Sequence, residues 1–486
     1  MLPYKTILRI DKASRTPIYQ QLSNEFIHHI SAGVIPPGTK LPGTRFLSDV
    51  LGINRRTVIA GMDELLAQGW ITVHPNKGCF VKDQLPETTP QPLAGSSERV
   101  DKDRVAFDLP EAPPLAFPAS YDLRINDGYP DVRLAPLKEL ARNYSYITNS
   151  SMGSQLMTYR QKVLGDEILR NELVHYLSET RSIHVSADNI MTTRGSLMAF
   201  YVLFKTILTA ENNQVVVGYP GFNEGYKAIK MAGGMLNFVE VDREGMSMDQ
   251  VEALCQKKPV RAVFIIPHHH YPTTVSLSAQ RRMELLALAE KYRFAIIEDD
   301  YDFDFHYASA PILPIASIDR QGSVAYVGSF SKTVAPSLRL GFIVAPRQLI
   351  AAASQVSKYV DSFGNTAMEH AVAMLFQEGA IRRHLRKALK TYRERRDHFC
   401  ALLREHLEEH IDFSIPEGGL AVWAQLKQHD LKELKEKCAA HRIGIPDTSS
   451  YYANPYEENA LRIGFASMTQ EEAEVLIRSI AKALRS

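Results

Sequence analysis

Reactive and anion-binding side chains follow a series of short apolar runs between residues 189 and 340. The runs NIMTT, QVVVG, RAVFII, FAIIE and VAYVG alternate with helical patterns, which predicts a mostly parallel sheet buried on both faces. Ligands of such sheets bind beyond the carboxyl ends of the strands, so the residues after each run are candidates for one shared site. They are Arg194-Gly195-Ser196, Tyr219-Pro220, Pro267 to Tyr271, Asp299-Asp300-Tyr301 and Ser329-Phe330-Ser331-Lys332.

This set of side chains matches what pyridoxal phosphate requires of a protein. Lys332 can form an imine with the cofactor aldehyde, and a carboxylate after FAIIE can keep the pyridine nitrogen protonated. The Gly195-Ser196 helix start can bind phosphate through free amides. Arg339 adds a planar guanidinium suited to the same phosphate. Each feature alone is more often structural, and the prediction depends on their joint placement at strand ends.

Three consecutive histidines, His268 to His270, raise the alternative of a metal site. Adjacent residues of a strand or loop point in different directions, which argues against a shared metal ion. Four cysteines lie far apart without a CxxC pair, which argues against a zinc site and a disulfide framework. We predict no metal and reduced cysteines.

The first 83 residues carry a basic, helical pattern. They contain ten Lys and Arg against six Asp and Glu, whereas the remainder contains 46 against 49. Two amphipathic segments precede a turn at Gly52-Ile53-Asn54, the segment RRTVIAGMDELLAQG follows it, and WITVHPNKGCFV then predicts two strands. The order is typical of a helix-turn-helix with a wing.

Outward residues at the start of the third predicted helix are suited to the major groove of DNA. They are Asn54, Arg55, Arg56 and Thr57. Lys77, at the predicted wing tip, could lie along a phosphate backbone or in the minor groove. A small accessory domain with surface arginines remains the alternative.

The blocks TPIYQQL, IPPGTKLPGTRFLSDVLGINRRTV, LLAQGWI and KGCFV resemble the winged helix-turn-helix of GntR-type bacterial regulators. This resemblance implies DNA contacts by Arg45 and by Arg55 to Thr57, with Lys77 and Gly78 in the wing. Gly43 departs from the family, which often has serine there to bind phosphate.

Residues 120 to 486 resemble a fold-type I aminotransferase through SFSK with a downstream arginine, EDDYD and PEGGLAVW. The resemblance implies that Lys332 forms the internal aldimine, Asp299 pairs with the pyridine nitrogen and Tyr301 hydrogen-bonds the phenolic oxygen. It assigns the phosphate to Gly195, Ser196, Ser329 and Arg339. It also assigns the ring face to Tyr219 and an effector carboxylate to Arg462. An edge charge on a strand is the alternative for Arg462.

Two departures bear on catalysis. Tyr271-Pro272 stands where many aminotransferases have Asn-Pro, so the asparagine that tunes the cofactor oxygen is missing. Leu197 and Met198 follow Ser196, where versions with glutamine are common. The imine is still expected to form, but the sequence does not favour efficient transamination.

The sequence predicts three parts. A winged helix-turn-helix (α+β) occupies residues 1–83, a proline-rich extended linker residues 84–118, and an α/β aminotransferase-like body for cofactor binding and dimerisation residues 119–486. The linker has seven prolines and, at about 3 Å per residue, a reach of roughly 100 Å. No apolar run approaches the roughly 18 residues of a spanning helix, so a cytoplasmic location is expected.

The two resemblances in this order are typical of the MocR-type branch of GntR regulators. They imply a transcriptional regulator that senses pyridoxal phosphate or an amino compound through an internal or external aldimine on Lys332. The implied partners are double-stranded operator DNA, a small amino effector and a second copy in a head-to-tail, domain-swapped homodimer. Two alternatives stay open: an active aminotransferase with an accessory DNA-binding domain, and a regulator whose body binds no cofactor. At most a slow half-reaction is expected of the regulator.

Overall fold

A computed structural model describes residues 2–86, 107–108, 121–158, 162–307, 312–427, 430–446 and 459–485. The chain divides into two compact units, Met1–Ala116 and Phe117–Ser486. Most of the predicted linker, residues 84–118, lies outside the described residues, so its extended conformation stays a prediction.

The first unit has the predicted helix-turn-helix and wing, preceded by one further short helix. Its helices are α1 (Tyr4–Ile7), α2 (Ile18–Ser31), α3 (Thr44–Leu51) and α4 (Arg55–Ala67), and its strands are β1 (Ile71–His74) and β2 (Gly78–Val81). Gly52 ends α3 in the left-handed conformation at φ 61°, which glycine adopts without steric cost. The Asn54 side chain accepts a hydrogen bond from the Arg56 amide and so caps α4. β1 and β2 pair antiparallel, with Ile71 opposite Val81.

The inward apolar residues of these elements form one core. Leu22 and Phe26 of α2, Leu47 of α3, and Val58 and Leu65 of α4 are all fully buried. Their spacing along the helices is the amphipathic period that predicts this unit from sequence.

The second unit alternates helices and strands along most of its length. Its strands are β3 (Leu123–Arg124), β4 (Ile190–Thr193), β5 (Gln214–Tyr219), β6 (Met235–Asp242), β7 (Gly245–Met246), β8 (Val260–Ile265), β9 (Ala295–Asp300), β10 (Val324–Ser329), β11 (Gly341–Val344), β12 (Ile411–Phe413), β13 (Ala421–Leu426), β14 (Ile443–Gly444) and β15 (Ala460–Gly464). Its helices are α5 (Leu137–Thr148), α6 (Ser151–Leu156), α7 (Glu167–Arg181), α8 (Ser196–Ile207), α9 (Asn223–Met231), α10 (Met248–Lys257), α11 (Ala279–Tyr292), α12 (Ile315–Ile318), α13 (Phe330–Thr333), α14 (Arg347–Val360), α15 (Thr366–Gln377), α16 (Ala380–Leu407), α17 (Leu431–Ala440) and α18 (Gln470–Arg485). Short 3-10 helices span Ala187–Asn189 and Pro336–Leu338.

The central sheet has the strand order β4-β11-β10-β9-β8-β5-β6-β7. β10, β9, β8, β5 and β6 run parallel to one another, which confirms the predicted mostly parallel sheet. β11 is antiparallel to both β10 and β4. The connection from β10 to β11 is too short for the helical crossover that a parallel neighbour needs, so the chain returns antiparallel.

Both faces of this sheet are covered by helices. Val215 and Val217 of β5 pack in one apolar cluster with Phe200 of α8. Val216, between them in sequence, packs on the opposite face with Leu285 of α11. Alternate residues of a strand point to opposite faces, so continuous apolar runs such as QVVVG fit a sheet buried on both sides.

A smaller antiparallel sheet, β12-β13-β15, lies toward the end of the second unit. It packs with α16 and α18 around residues such as Phe399, Val422 and Ile477. Arg462 on β15 pairs across from Trp423 on β13. β14 pairs in parallel with β3, the strand that leads into residues 125–129. None of the helices in the described part is long and apolar enough to cross a membrane.

Candidate functional site

The carboxyl ends of neighbouring strands bring the predicted site residues to one edge of the central sheet. Asp299 lies next to the end of β9 and pairs in register with Val327 of β10. Lys332 lies on α13, directly after β10. β4 runs in the same direction as β10, because both are antiparallel to β11, and Gly195 follows its end. Tyr219 is the last residue of β5, and its ring packs edge-on against Phe238 with centroids 5.5 Å apart.

Gly195, Ser196 and Arg339 lie together at the start of α8. Gly195 has φ 86°, a conformation that other residues rarely adopt, and Ser196 is the first residue of α8. A Cβ atom on Gly195 would lie 3.2 Å from Arg339 Nη2, which donates a hydrogen bond to the Arg194 carbonyl at 2.9 Å. Free amides at the start of a helix beside a guanidinium suit a phosphate group.

Gly341 connects this corner to the end of β10. It pairs with Ser329 across the β10–β11 ladder, and a Cβ on it would meet the Gly195 backbone at 3.0 Å. The Ser329 hydroxyl accepts a hydrogen bond from the Ser331 amide at 3.1 Å and so caps α13. Its O–H remains a donor that can turn toward an anion.

A substitution at Gly195 tests the phosphate corner. We expect Gly195→Ala to weaken pyridoxal phosphate binding by roughly tenfold or more, because relief of a backbone strain on the order of 1–3 kcal/mol would move the start of α8 and the added methyl would displace Arg339. Gly233 is a matched control, since it has φ 98° and nothing within 4 Å of an added Cβ. Gly233→Ala is expected to lose stability but keep its affinity, and equal affinities in both variants would contradict the assignment. Titration of the full chain with cofactor measures both.

The Lys332 amine contacts Gly128 and Tyr129. Nζ donates to the Gly128 carbonyl at 2.7 Å and lies 5.2 Å from the centre of the Tyr129 ring. Burial lowers the pKa of Lys332 to about 8, although the Asp127 carboxylate opposes that shift. An amine with a lowered pKa is more often neutral near pH 7, and the neutral form is the nucleophile.

Asp299 is a buried carboxyl with an unsatisfied oxygen. It is 3% exposed, and Oδ1 has no hydrogen-bond partner among the residues that the structure describes. Burial raises its pKa well above the usual range, and Asp300 and Asp302 add to the shift. An orphaned buried acceptor is costly, and the N–H of a protonated pyridine ring would satisfy it. This residue therefore fits pyridoxal phosphate.

Tyr301 and Arg462 contact each other. The Tyr301 hydroxyl donates to the His269 carbonyl at 2.7 Å and accepts from Arg462 Nη2 at 3.3 Å. Arg462 is 1% exposed, donates through Nη1 to the Pro272 carbonyl at 3.0 Å and lies over the Tyr271 ring. The alternative of an edge charge at Arg462 is therefore wrong, because a solvated surface arginine would not be buried.

Asp127 is a site residue that the sequence patterns miss. Its Oδ1 lies 3.6 Å from Arg462 Nε, and its Oδ2 accepts a 2.5 Å hydrogen bond from the Tyr271 hydroxyl. Asn126-Asp127-Gly128 has the composition of a turn, which predicts its local conformation but not the distant arginine that it reaches.

The three histidines have protein partners. His269 Nδ1 lies 2.9 Å from Asp302 Oδ1, His270 Nδ1 lies 2.9 Å from Thr273 Oγ1, and His268 contacts the Ile312 carbonyl. Within the described ranges, no group of three or more His, Cys, Asp or Glu side chains is arranged to hold a metal ion.

The candidate DNA-binding residues lie on the surface of the first unit. Arg45, Arg55 and Arg56 are exposed, and Arg55 Nε donates to Thr44 Oγ1 at 3.3 Å, which brings the starts of α3 and α4 together. Thr57 is half-buried in the first turn of α4, and the Asn54 side chain serves as the helix cap. Lys77 is exposed in the turn between β1 and β2, and Gly78, also exposed, is the first residue of β2, at the predicted wing tip. The arrangement presents two helix starts and a turn with basic side chains, as groove-binding domains do.

Comparison with known proteins agrees with the division of the chain into two units. Residues 129–480 match the family model for aminotransferase class I and II, and residues 18–81 match that for bacterial regulatory proteins of the gntR family. The chain is 27% identical to the probable rhizopine catabolism regulatory protein MocR of Rhizobium meliloti, over 99% of this chain and 97% of that protein. It is also 27% identical to the uncharacterized HTH-type transcriptional regulator YdfD of Bacillus subtilis, over 95% of each chain.

Among solved structures, the fold is similar to alpha-aminoadipate aminotransferase from Thermus thermophilus, complexed with N-(5'-phosphopyridoxyl)-L-leucine. The TM-score is 0.69 at 23% identity, covering 75% of this chain and 92% of that one. The fold and the matches define a helix-turn-helix DNA-binding transcription regulator with an aminotransferase-like domain. The chain belongs to the aminotransferase class I and II family, and with its gntR domain it has the fused architecture of the HTH-type regulators that it matches, MocR among them.

Proposed function

We propose that this protein is a pyridoxal phosphate-binding transcriptional regulator whose DNA binding responds to the cofactor or to an amino compound at Lys332. The observation that carries the proposal is the buried, unsatisfied Asp299 Oδ1 at the same sheet edge as a lysine of lowered pKa, in a chain with a gntR domain. A regulator without cofactor would have no reason to retain that costly carboxyl.

Each site residue has a proposed task. When bound, pyridoxal phosphate supplies an aldehyde carbon that accepts an amine and a ring that withdraws electrons. Lys332 would provide the amine, Asp299 would accept the ring N–H, and Tyr301 is assigned to the phenolic oxygen, toward which its hydroxyl would turn from the His269 carbonyl. The phosphate is assigned to Gly195, Ser196, Ser329 and Arg339. The face of the ring is assigned to Tyr219. Arg462 holds an effector carboxylate.

The link between the site and DNA is thermodynamic. A ligand changes DNA affinity only as far as it binds two conformations of the protein unequally. The proposed assembly is a domain-swapped homodimer, which would place each DNA-binding unit against the partner's body. Arg45, Asn54, Arg55, Arg56, Thr57, Lys77 and Gly78 are the proposed DNA contacts.

The lowered pKa of Lys332 gives a pH test. Only the neutral amine attacks an aldehyde, so the rate of cofactor capture should rise about tenfold per pH unit and level off above about pH 8. At an ordinary lysine pKa of about 10.4 the rise would continue well past that point. Stopped-flow absorbance between pH 6.5 and 9.5 measures the profile, and a tenfold rise persisting between pH 8.5 and 9.5 would contradict it.

Footprinting tests the regulatory proposal. Purified full-length protein is incubated with the DNA upstream of its own gene, with and without pyridoxal phosphate and a panel of amino acids. A protected site whose extent or affinity changes with ligand supports the proposal. Absence of a protected site under every condition would overturn it, and multiple turnovers with an amino donor and a keto acid would favour an aminotransferase.

A further inference from the structure

Asp127 places a carboxylate beside the arginine that is proposed to bind a ligand carboxylate. Its Oδ1 lies 3.6 Å from Arg462 Nε, within ion-pair distance but beyond a hydrogen bond. Arg462 is almost fully buried and Asp127 is partly buried, with 1% and 22% of their side chains exposed. Water therefore screens the two charges only weakly.

The two facing atoms are unsatisfied. Asp127 Oδ1 and Arg462 Nε both lack a hydrogen-bond partner among the described residues. The other Asp127 oxygen is occupied by the Tyr271 hydroxyl, and the other Arg462 nitrogens donate to Pro272 and Tyr301. Oδ1 is thus an acceptor without a hydrogen-bond donor, and its carboxylate is close enough to Lys332 for the two charges to interact.

The Asp127 carboxylate beside Arg462 affects which charge on a ligand the site favours. A carboxylate on Arg462 would put two negative groups around one guanidinium, and like charges at this distance are unfavourable in a partly buried site. Burial already raises the pKa of Asp127, whereas Arg462 and Lys332 act to lower it. A second positive group on the ligand would give Asp127 a partner of its own and satisfy Oδ1.

We propose that Asp127 is a specificity-determining residue that makes the site selective for amino acids carrying a second ammonium group. The ligand carboxylate binds Arg462, the amine that reacts lies toward Lys332, and the second ammonium donates to Asp127 Oδ1. This inference rests on the proposed function, since it assumes an amino ligand at the same site.

Matched ligand pairs test the charge preference without any substitution. The pairs are 2,4-diaminobutanoate with 2-aminobutanoate, ornithine with norvaline, and lysine with norleucine, which place the second ammonium at three distances. Calorimetric titration of the full chain loaded with pyridoxal phosphate gives the dissociation constants. We expect the diamino acid to bind at least about tenfold more tightly than its neutral partner in one or more pairs, the effect of one charge-assisted hydrogen bond.

Asp127→Asn separates charge from shape. Asparagine keeps an acceptor for the Tyr271 hydroxyl but removes the negative charge, so the preference within each pair should fall to about one while neutral amino acids bind more tightly. The control is Asp122→Asn, the same change at an exposed residue whose partner is Arg442, and its preference should equal that of the native chain. Cofactor uptake by each variant shows that the body is folded.

The outcomes distinguish the two proposals. A protein that takes up pyridoxal phosphate but has equal dissociation constants in all three pairs, or binds none of the six ligands, overturns the role of Asp127 and leaves cofactor sensing standing. A preference that survives in Asp127→Asn also overturns it. Failure of the native chain to take up the cofactor overturns both the proposed function and this inference.

Discussion

We expect the native protein to show visible absorbance when loaded with pyridoxal phosphate, and we expect replacement of Lys332 by alanine to abolish that absorbance. Lys332 follows the end of β10, at the sheet edge that also holds Asp299. Alanine has no amine, so it cannot form the bond to the aldehyde carbon. The variant keeps Gly195 and Arg339, the residues proposed to bind the phosphate, so cofactor affinity should fall by a factor of 10 or more rather than vanish, as expected when one strong contact of several is removed.

Two variants control this experiment. Lys332→Arg keeps a positive charge but cannot form the covalent bond, so it should lack the absorbance too. Lys227→Ala removes an exposed lysine that pairs with Glu224 on α9, and it should match the native spectrum. Unchanged absorbance in Lys332→Ala, with the cofactor retained after gel filtration, would contradict the assignment of Lys332 as the reactive amine.

Replacement of both Arg55 and Arg56 by alanine is expected to reduce DNA affinity by on the order of 100-fold or more. Both guanidinium groups are exposed at the start of α4, and each contact to a phosphate or base edge is typically worth 1–3 kcal/mol. If both residues contact phosphates, the slope of log affinity against log salt should become less steep by about two. Fluorescence anisotropy over a salt series measures both quantities.

The control removes the same charge elsewhere in the first unit. Lys5→Ala with Arg9→Ala leaves α4 intact and lowers the net charge equally, so it separates local contacts from overall attraction. Asn54 still caps α4 in the Arg55/Arg56 variant, because the Arg56 backbone amide remains, and thermal unfolding should therefore be nearly unchanged. Equal affinities for the two double variants would contradict the assigned DNA surface.

The sequence predicts the first unit well because its structure depends on local spacing. Apolar residues at helical intervals, such as Leu22 and Phe26, define the core, and Gly52 marks the turn. The strands of the central sheet are equally predictable from the sequence, since continuous apolar runs such as QVVVG and RAVFII fit strands that are buried on both faces. Parallel topology then brings their carboxyl ends together, so the sequence predicts that Asp299 and Lys332 lie at the same edge of the sheet.

Other features depend on contacts between distant parts of the chain. The antiparallel β11 follows from a short return that a strand pattern does not reveal. Asp127 reaches Arg462 only because β3 pairs with β14 and β15 joins the small sheet, and neither pairing has a local signal. Likewise, the sequence gives Tyr301 a place near the cofactor, but not its hydrogen bond to the His269 carbonyl.

Control of DNA binding by the aminotransferase-like body is tested most directly by the affinity of the full-length protein for its own upstream DNA, measured with and without pyridoxal phosphate. We predict that the cofactor changes the apparent affinity of the native chain by about 5-fold to 150-fold, the usual range of a coupling free energy. The Lys332→Ala chain should bind the same DNA with a smaller response when the cofactor concentration saturates the native chain but not the variant. Equal affinities with and without cofactor, in a native chain shown to hold it and to remain unaffected by added amino acids, would contradict the proposal that the body controls DNA binding.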